Sequence, residues 1–236
     1  MRPILTFFVI ALLAVLSWQC QSSGTTIEGT IPDAQNMTAY LDHVVVGKAS
    51  NILANTEINA SGKFQMSFPE GLEAGVYNLR VGTQRINLVL NGKEKNISIN
   101  GSLNDLQNYS FKLEGSGDSQ VFATVMQGLI ARRYTVNDIT TFIDTVSNPT
   151  LGAFVASRAL GNAPQFLELQ KKAQAKLAAA EPNSEFAVEY GKFLTAIETQ
   201  MMAQQSEELI QIGQPAPNIR LTSPSGKEYE LADLKG

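Results

Sequence analysis

The chain has few of the residues that carry most enzyme chemistry. Its 236 residues include one cysteine, one histidine and one tryptophan. An internal disulfide needs two cysteines, and a zinc site of Cys and His ligands needs three or four side chains. Since these counts exclude the commonest redox and hydrolytic sites, we expect no catalytic, cofactor-binding or metal-binding residue between residues 1 and 236.

The chain also lacks a block of positive charge. Lys and Arg number 18 against 22 Asp and Glu, which gives a net charge of −4. Nucleic-acid binding depends on clustered Lys and Arg that neutralise phosphates. We therefore expect no nucleic-acid partner.

The longest uncharged apolar run lies at the N-terminus. Residues 4–16 contain no charge, but thirteen residues are too few for a membrane-spanning helix, which needs about 20. They match the apolar core of a signal peptide. The only cysteine, Cys20, follows directly, and this order resembles a bacterial lipoprotein signal. The resemblance implies a signal peptide at 1–20, lipidation at Cys20 that binds the chain to a membrane, and a flexible tether at 21–26.

Two alternatives for this leader remain open. An ordinary signal peptidase would cleave after Ser17, with Val15 and Ser17 as the small residues at positions −3 and −1. An uncleaved membrane anchor is the other. In each case the protein works outside the cytoplasm, and the lipoprotein signal favours the cell envelope facing the periplasm.

Residues 27–115 have the pattern of short β-strands. Phe64, Met66 and Phe68 alternate with polar residues, so we expect them to share one buried face. Asn91-Gly92 predicts a hairpin turn because both residues tolerate positive φ. Seven or eight strands at this spacing predict an antiparallel β-sandwich or a barrel-like domain. His43 lies within one predicted strand without a second titratable ligand nearby, which indicates a structural role.

Residues 116–208 have a helical period instead. Capping residues and prolines predict helix starts at Asp118 or Ser119, Asn137 or Asp138, Asn148-Pro149, Asn162-Ala163-Pro164 and Pro182-Asn183-Ser184. Four or five amphipathic helices in about 90 residues predict a helical segment after the β domain. The fold class expected for the whole chain is therefore α+β.

Residues 209–236 form a third region. Two prolines, Pro215 and Pro217, make an extended entry, and Pro224-Ser225-Gly226 predicts the turn of a β-hairpin. The residues that form a motif are Gly213-Gln214-Pro215-Ala216-Pro217, Leu221, Gly226-Lys227 and Leu231-Ala232-Asp233-Leu234-Lys235-Gly236. This motif resembles the opening of a TlpA-like or peroxiredoxin-like (alkyl hydroperoxide reductase/thiol-specific antioxidant) module with a thioredoxin fold. Asn218 and Ile219 depart from it, because that family more often has Asp and Phe there.

The resemblance implies a longer parent protein. In this family the catalytic cysteines come after the hairpin, so they would follow Gly236 and no residue here inherits their role. The chain would be the N-terminal part, truncated before the catalytic strand, of a membrane-anchored thiol–disulfide oxidoreductase with thiol or disulfide proteins as partners. The alternative is a non-catalytic envelope lipoprotein that serves as a binding or spacer module.

Overall fold

The computed structural model describes residues 24–209 and 219–230, and for residues 205–209 it describes the helical backbone alone. The predicted signal peptide at 1–20, the tether residues 21–23 and the motif residues 210–218 and 231–236 lie outside the described residues. Among the described residues, no helix is long and apolar enough to cross a membrane.

The described strands and helices follow the order expected for an α+β chain. The strands are β1 (Thr25–Thr30), β2 (Thr38–Val44), β3 (Asn51–Glu57), β4 (Lys63–Phe68), β5 (Gly75–Val81), β6 (Gln84–Leu90), β7 (Asn96–Asn100), β8 (Lys112–Glu114), β9 (Arg220–Thr222) and β10 (Glu228–Glu230). The helices are α1 (Leu103–Gln107), α2 (Gly117–Ile130), α3 (Val136–Thr145), α4 (Pro149–Leu160), α5 (Leu167–Ala180) and α6 (Glu185–Leu209), with a 3₁₀ turn at Pro164–Phe166.

Strands β1 to β8 form two four-stranded sheets, which confirms the sandwich and not the barrel. Sheet 1 has the order β4-β1-β7-β8, and sheet 2 has the order β3-β2-β5-β6. Their facing sides enclose a core that includes Ile27, Leu41, Phe64, Leu79 and Ile97. Period-two alternation sends these side chains inward.

One pairing within the sandwich is parallel. β1 and β7 run in the same direction, with Gly29 opposite Ile99, whereas the other pairs of the two sheets are antiparallel. A β-carbon on Gly29 would lie 2.0 Å from the Ile99 carbonyl oxygen. Only glycine therefore permits this approach. β1 begins at Thr25, so the last two residues of the predicted tether belong to the sheet.

The prediction of a hairpin at Asn91-Gly92 is wrong. β6 lies in sheet 2 and β7 in sheet 1, so the turn carries the chain between sheets. Gly92 does have positive φ, at 80°. The Glu94 carboxylate folds the loop by accepting hydrogen bonds from the backbone N–H groups of Asn91 and Lys93. Positive φ allows a tight turn but does not decide which strands pair after it.

The helices cover the outer face of sheet 2. Val76 and Val89 on that face pack in one apolar cluster with Phe122 of α2 and Phe154 of α4. β5 and β6 are consequently buried on both faces, as their nearly unbroken runs of buried residues show. Phe186 and Tyr190 of α6 lie in the same cluster.

The helix starts agree only partly with the sequence patterns. Asn148 caps α4 with Pro149 in its first turn, as predicted. α2 is capped by Ser116 and not by the predicted Asp118 or Ser119. Ser119 lies in the first turn of the helix, and its hydroxyl bonds to β6. α3 is capped by Thr135, whose backbone N–H donates to the Asp138 carboxylate in a capping box. The predicted start at Asn162 gives a 3₁₀ turn without a side-chain cap.

Candidate functional site

The predicted C-terminal hairpin is present. β9 and β10 pair antiparallel, with Tyr229 opposite Leu221, and Gly226 takes positive φ at 79° in the turn between them. Leu221 is 69% exposed and Tyr229 is 45% exposed. The hairpin thus carries apolar side chains that nothing in the described part of the chain buries.

Cys20, the one residue that the sequence assigns to a site, lies outside the described residues, so its lipidation stays a prediction. His43 packs its ring against that of Tyr77, with centroids 5.4 Å apart. Within residues 24–209 and 219–230, no group of three or more His, Cys, Asp or Glu side chains is placed to hold a metal ion.

The outer face of sheet 2 carries the most distinctive polar geometry of the protein. The strand register places three rows of residues across β2, β5 and β6. The rows are Val44–Val76–Val89, Asp42–Asn78–Asn87 and Tyr40–Arg80–Arg85. The valine row lies under the helices, and the other two rows extend from it toward the open end of the sheet face.

Asp42 and Arg80 neutralise each other in this surface. Asp42 is only 1% exposed, and its two carboxylate oxygens accept hydrogen bonds from Nε and Nη2 of Arg80 at 2.5 and 3.0 Å. The Arg80 guanidinium also lies over the ring of Tyr40, 4.8 Å from its centroid. Asp42 thus holds the Arg80 guanidinium in a bidentate pair and neutralises its charge.

Asn78 and Asn87, directly opposite each other on β5 and β6, are both 8% exposed. Asn87 accepts a hydrogen bond of 3.4 Å from the hydroxyl of Tyr109. Burial raises the pKa of that hydroxyl, and the nearby Arg158 guanidinium opposes the rise. The Oδ1 of Asn78, in contrast, is buried without a hydrogen-bond partner among the described residues.

Helices α4 and α6 close one side of this polar surface and leave a cleft of about 370 Å³. We call it the sheet–helix cleft. Its lining consists of Val44, Val46, Gly47, Lys48, Ser50, Asn78, Arg85, Asn87, Phe154, Ser157, Arg158, Asn162 and Phe193. The lining contains three cations and, within the described part of the chain, no carboxylate.

The cations of the sheet–helix cleft differ in how they are paired. Lys48 forms ion pairs with Glu185 at 2.8 Å and with Glu189 at 3.3 Å. The hydrogen bond to Glu185 is the main reason that the pKa of Lys48 is raised. Arg85 and Arg158 have no ion pair or side-chain hydrogen bond to any described residue. Two guanidinium groups therefore remain available to a ligand.

A second concavity, of about 490 Å³, lies on the outer face of sheet 1. Its charged groups are of both signs, Glu28 and Glu57 beside Lys63, and it is a broad polar surface of the sheet. It lacks the two guanidinium groups and the buried amide of the sheet–helix cleft.

Sequence reasoning did not single out the residues of the sheet–helix cleft. A signal was present, because Asn78 and Asn87 interrupt the apolar outer face that Val76 and Val89 begin. An alternating strand normally puts polar residues toward solvent, so the interruption is visible only once the helices are known to cover that face.

Comparisons with known proteins add little. No family model matches the chain, and no curated protein matches it. Among solved structures it is similar to an (S)-allantoin synthase, at 12% identity and a TM-score of 0.28, with 44% of this chain and 48% of that one covered. It is also similar to a 9R-lipoxygenase from Cyanothece PCC8801, at 9% identity and a TM-score of 0.24, with 62% and 30% covered. The chain spans about half the length of the first and under a third of the second. Neither likeness supports a conclusion about function.

Proposed function

We propose that this chain is the N-terminal, membrane-anchored portion of a periplasmic thiol–disulfide oxidoreductase with a thioredoxin-like module. The hairpin at 219–230 carries the proposal, because it contains Leu221 and Gly226-Lys227 of the motif together with exposed apolar side chains. A two-stranded hairpin is marginal in water unless a further strand or a helix covers its apolar face. In a thioredoxin-like module, the strands that follow the hairpin would provide that cover.

The chain itself supplies attachment and support, not chemistry. Thiol–disulfide exchange requires a thiolate that attacks one sulfur of a disulfide, and the other sulfur leaves. Cys20 is the only cysteine between residues 1 and 236, and lipidation would remove its thiolate. Exchange with thiol or disulfide proteins would therefore take place in a module beyond Gly236, while the lipid, the sandwich and the helices hold that module at the membrane.

The gene sequence past codon 236 tests this proposal most directly. A strand followed by Trp-Cys-x-x-Cys within the span of one strand and its turn would establish a disulfide oxidoreductase. A single cysteine in a Thr-x-x-Cys setting would indicate a peroxiredoxin instead. A stop codon would overturn the proposal in favour of the non-catalytic envelope lipoprotein, which the sheet–helix cleft favours as a binding module.

The membrane anchor has its own test. We expect radiolabelled palmitate to be incorporated into the chain and Cys20→Ser to abolish both this label and processing, since the lipid is attached to the sulfur. Ser17→Ala is the matched control and should leave both unchanged. If Cys20→Ser is still processed normally and the mature chain begins at Trp18, the chain is a secreted protein cleaved after Ser17.

A further inference from the structure

The sheet–helix cleft holds two exposed arginines that have no acidic partner among the described residues. Arg85 lies directly opposite Arg80 on the neighbouring strand. Like charges directly opposite each other destabilise a sheet, and the Asp42 carboxylate relieves this at Arg80. Asp42 neutralises Arg80, but Arg85 has no acidic partner among the described residues. The same is true of Arg158 on α4, in a chain whose net charge is negative.

Asn78 gives a second and independent indication of a ligand. The residue is more than nine-tenths buried and lines the cleft, yet its Oδ1 has no hydrogen-bond partner among the described residues. Buried amides are almost always hydrogen-bonded, because losing water without gaining a partner costs free energy. A ligand hydroxyl, which can both donate and accept, would provide the missing partner in either orientation of the amide.

The dimensions and walls of the cleft limit the ligand further. About 370 Å³ is in the range of small-molecule sites and equals the liquid volume of roughly a dozen water molecules. Phe154 and Phe193 form apolar walls, and Ser157 and Asn162 add neutral polar groups. Such a lining suits a compact molecule with an apolar frame and several hydroxyl groups.

We propose that the sheet–helix cleft binds a hydroxylated organic anion the size of a monosaccharide. Its carboxylate or phosphate accepts hydrogen bonds from Arg85 and Arg158, whose planar guanidinium groups match either anion. One of its hydroxyl groups bonds to the amide of Asn78. This site does not depend on the thioredoxin resemblance, because all its residues lie in the sandwich and the helices.

The test is a titration of the full chain, purified in mild detergent, with three probes. Glucuronate carries a carboxylate, glucose 6-phosphate carries a phosphate, and glucose has the same ring without a charge. We expect one or both anions to bind and glucose to bind at least tenfold more weakly. Calorimetry gives the affinity, and NMR follows the Asn78 side-chain amide and the Nε–H groups of the two arginines, which should shift on binding.

Substitutions assign the binding to the cleft. Arg85→Gln and Arg158→Gln should each weaken the binding of the anion at least tenfold. Arg133→Gln, at an exposed arginine outside the cleft, is the matched control and should change affinity less than twofold. Near-UV circular dichroism of each variant checks that the fold is kept.

The proposal is overturned if neither anion binds at about 10 mM, a concentration at which millimolar affinity is still detected. Equal affinity for glucose and glucuronate would also overturn it, since the arginines would then contribute nothing. The same holds if binding persists unchanged in both cleft variants. Which of the two anions binds more tightly decides between the carboxylate and the phosphate class.

Discussion

At the scale of single residues, Ser119 joins the helices to the sandwich. Its hydroxyl is fully buried, accepts from the N–H of Val89 at 2.9 Å and donates to the carbonyl of the same residue at 2.9 Å. β6 is an edge strand, so Ser119 satisfies backbone groups that no neighbouring strand reaches. Ser116 supports it with a hydroxyl–hydroxyl bond of 2.8 Å.

We predict that Ser119→Ala lowers the free energy of unfolding by about 1–3 kcal/mol, because it leaves the buried N–H of Val89 unpaired, whereas the Val89 carbonyl keeps its bond from the Ser116 hydroxyl. Urea unfolding followed by far-UV circular dichroism measures the change. Thr124→Ala is the matched control on the same helix, since its exposed hydroxyl bonds only to the carbonyl of Gln120. Equal losses in the two variants would contradict the role given to Ser119.

At the scale of elements, acidic residues stabilise the N-termini of two helices. The Thr135 hydroxyl and backbone N–H keep the pKa of the Asp138 carboxyl below its ordinary value of 3.8. The ionised carboxyl thus favours the folded state above about pH 4, and this contribution is lost as the pH falls through the lowered pKa. Asp105 at the start of α1 behaves in the same way through Ser102.

We predict that Asp138→Asn reduces the loss of stability on acidification from about pH 5 to pH 2, because one carboxylate with a lowered pKa is removed. Thr135→Ala should have the same effect, since it removes the hydroxyl that lowers the pKa. Thr140→Ala, a partly exposed position on the same helix, is the control. Urea unfolding at a series of pH values gives the slopes, and unchanged slopes in the first two variants would refute the prediction.

The hairpin formed by β9 and β10 gives a second prediction at this scale. Its strands are three residues each, and its apolar side chains are largely exposed. We expect its amides to exchange with solvent much faster than those of β5 and β6, which are buried on both faces. Hydrogen exchange read by mass spectrometry compares the segments directly. Strong protection from Leu221 to Glu230 would show that the chain already covers the hairpin.

The sequence predicted the kinds of elements well and their pairing poorly. Local patterns were predicted correctly because they depend only on neighbouring residues. Examples are the alternation at Phe64 and Met66 and the helix start at Asn148-Pro149. Sheet membership depends on distant contacts, and the parallel pairing through Gly29 has no local signature. The five-residue helix α1 is too short to show a helical period. The sheet–helix cleft was missed because its residues come from separate elements that only the fold brings together.

At the scale of the whole molecule, the sandwich and the helices share sheet 2 as a common layer. Phe154 lies at their boundary: it is 2% exposed, stacks on Phe122 with centroids 5.0 Å apart and contacts Phe186 edge-on at 6.2 Å. Removing the helices would expose Val76 and Val89 to water. Because each part buries apolar surface of the other, we expect residues 24–209 to unfold as one cooperative unit.

We predict that Phe154→Ala, a change within a helix, destabilises the sandwich as much as it destabilises the helices. The expected cost is about 3–5 kcal/mol, which lowers the midpoint of thermal unfolding by roughly 10 °C. Phe64→Ala inside the sandwich is the matched variant, and calorimetry should show one transition for both. Hydrogen exchange should accelerate in β5 and β6 as well as in α4 of the Phe154→Ala variant. If exchange accelerates in the helices alone and a second transition appears, the sandwich folds independently and the helices are a separate domain added to it.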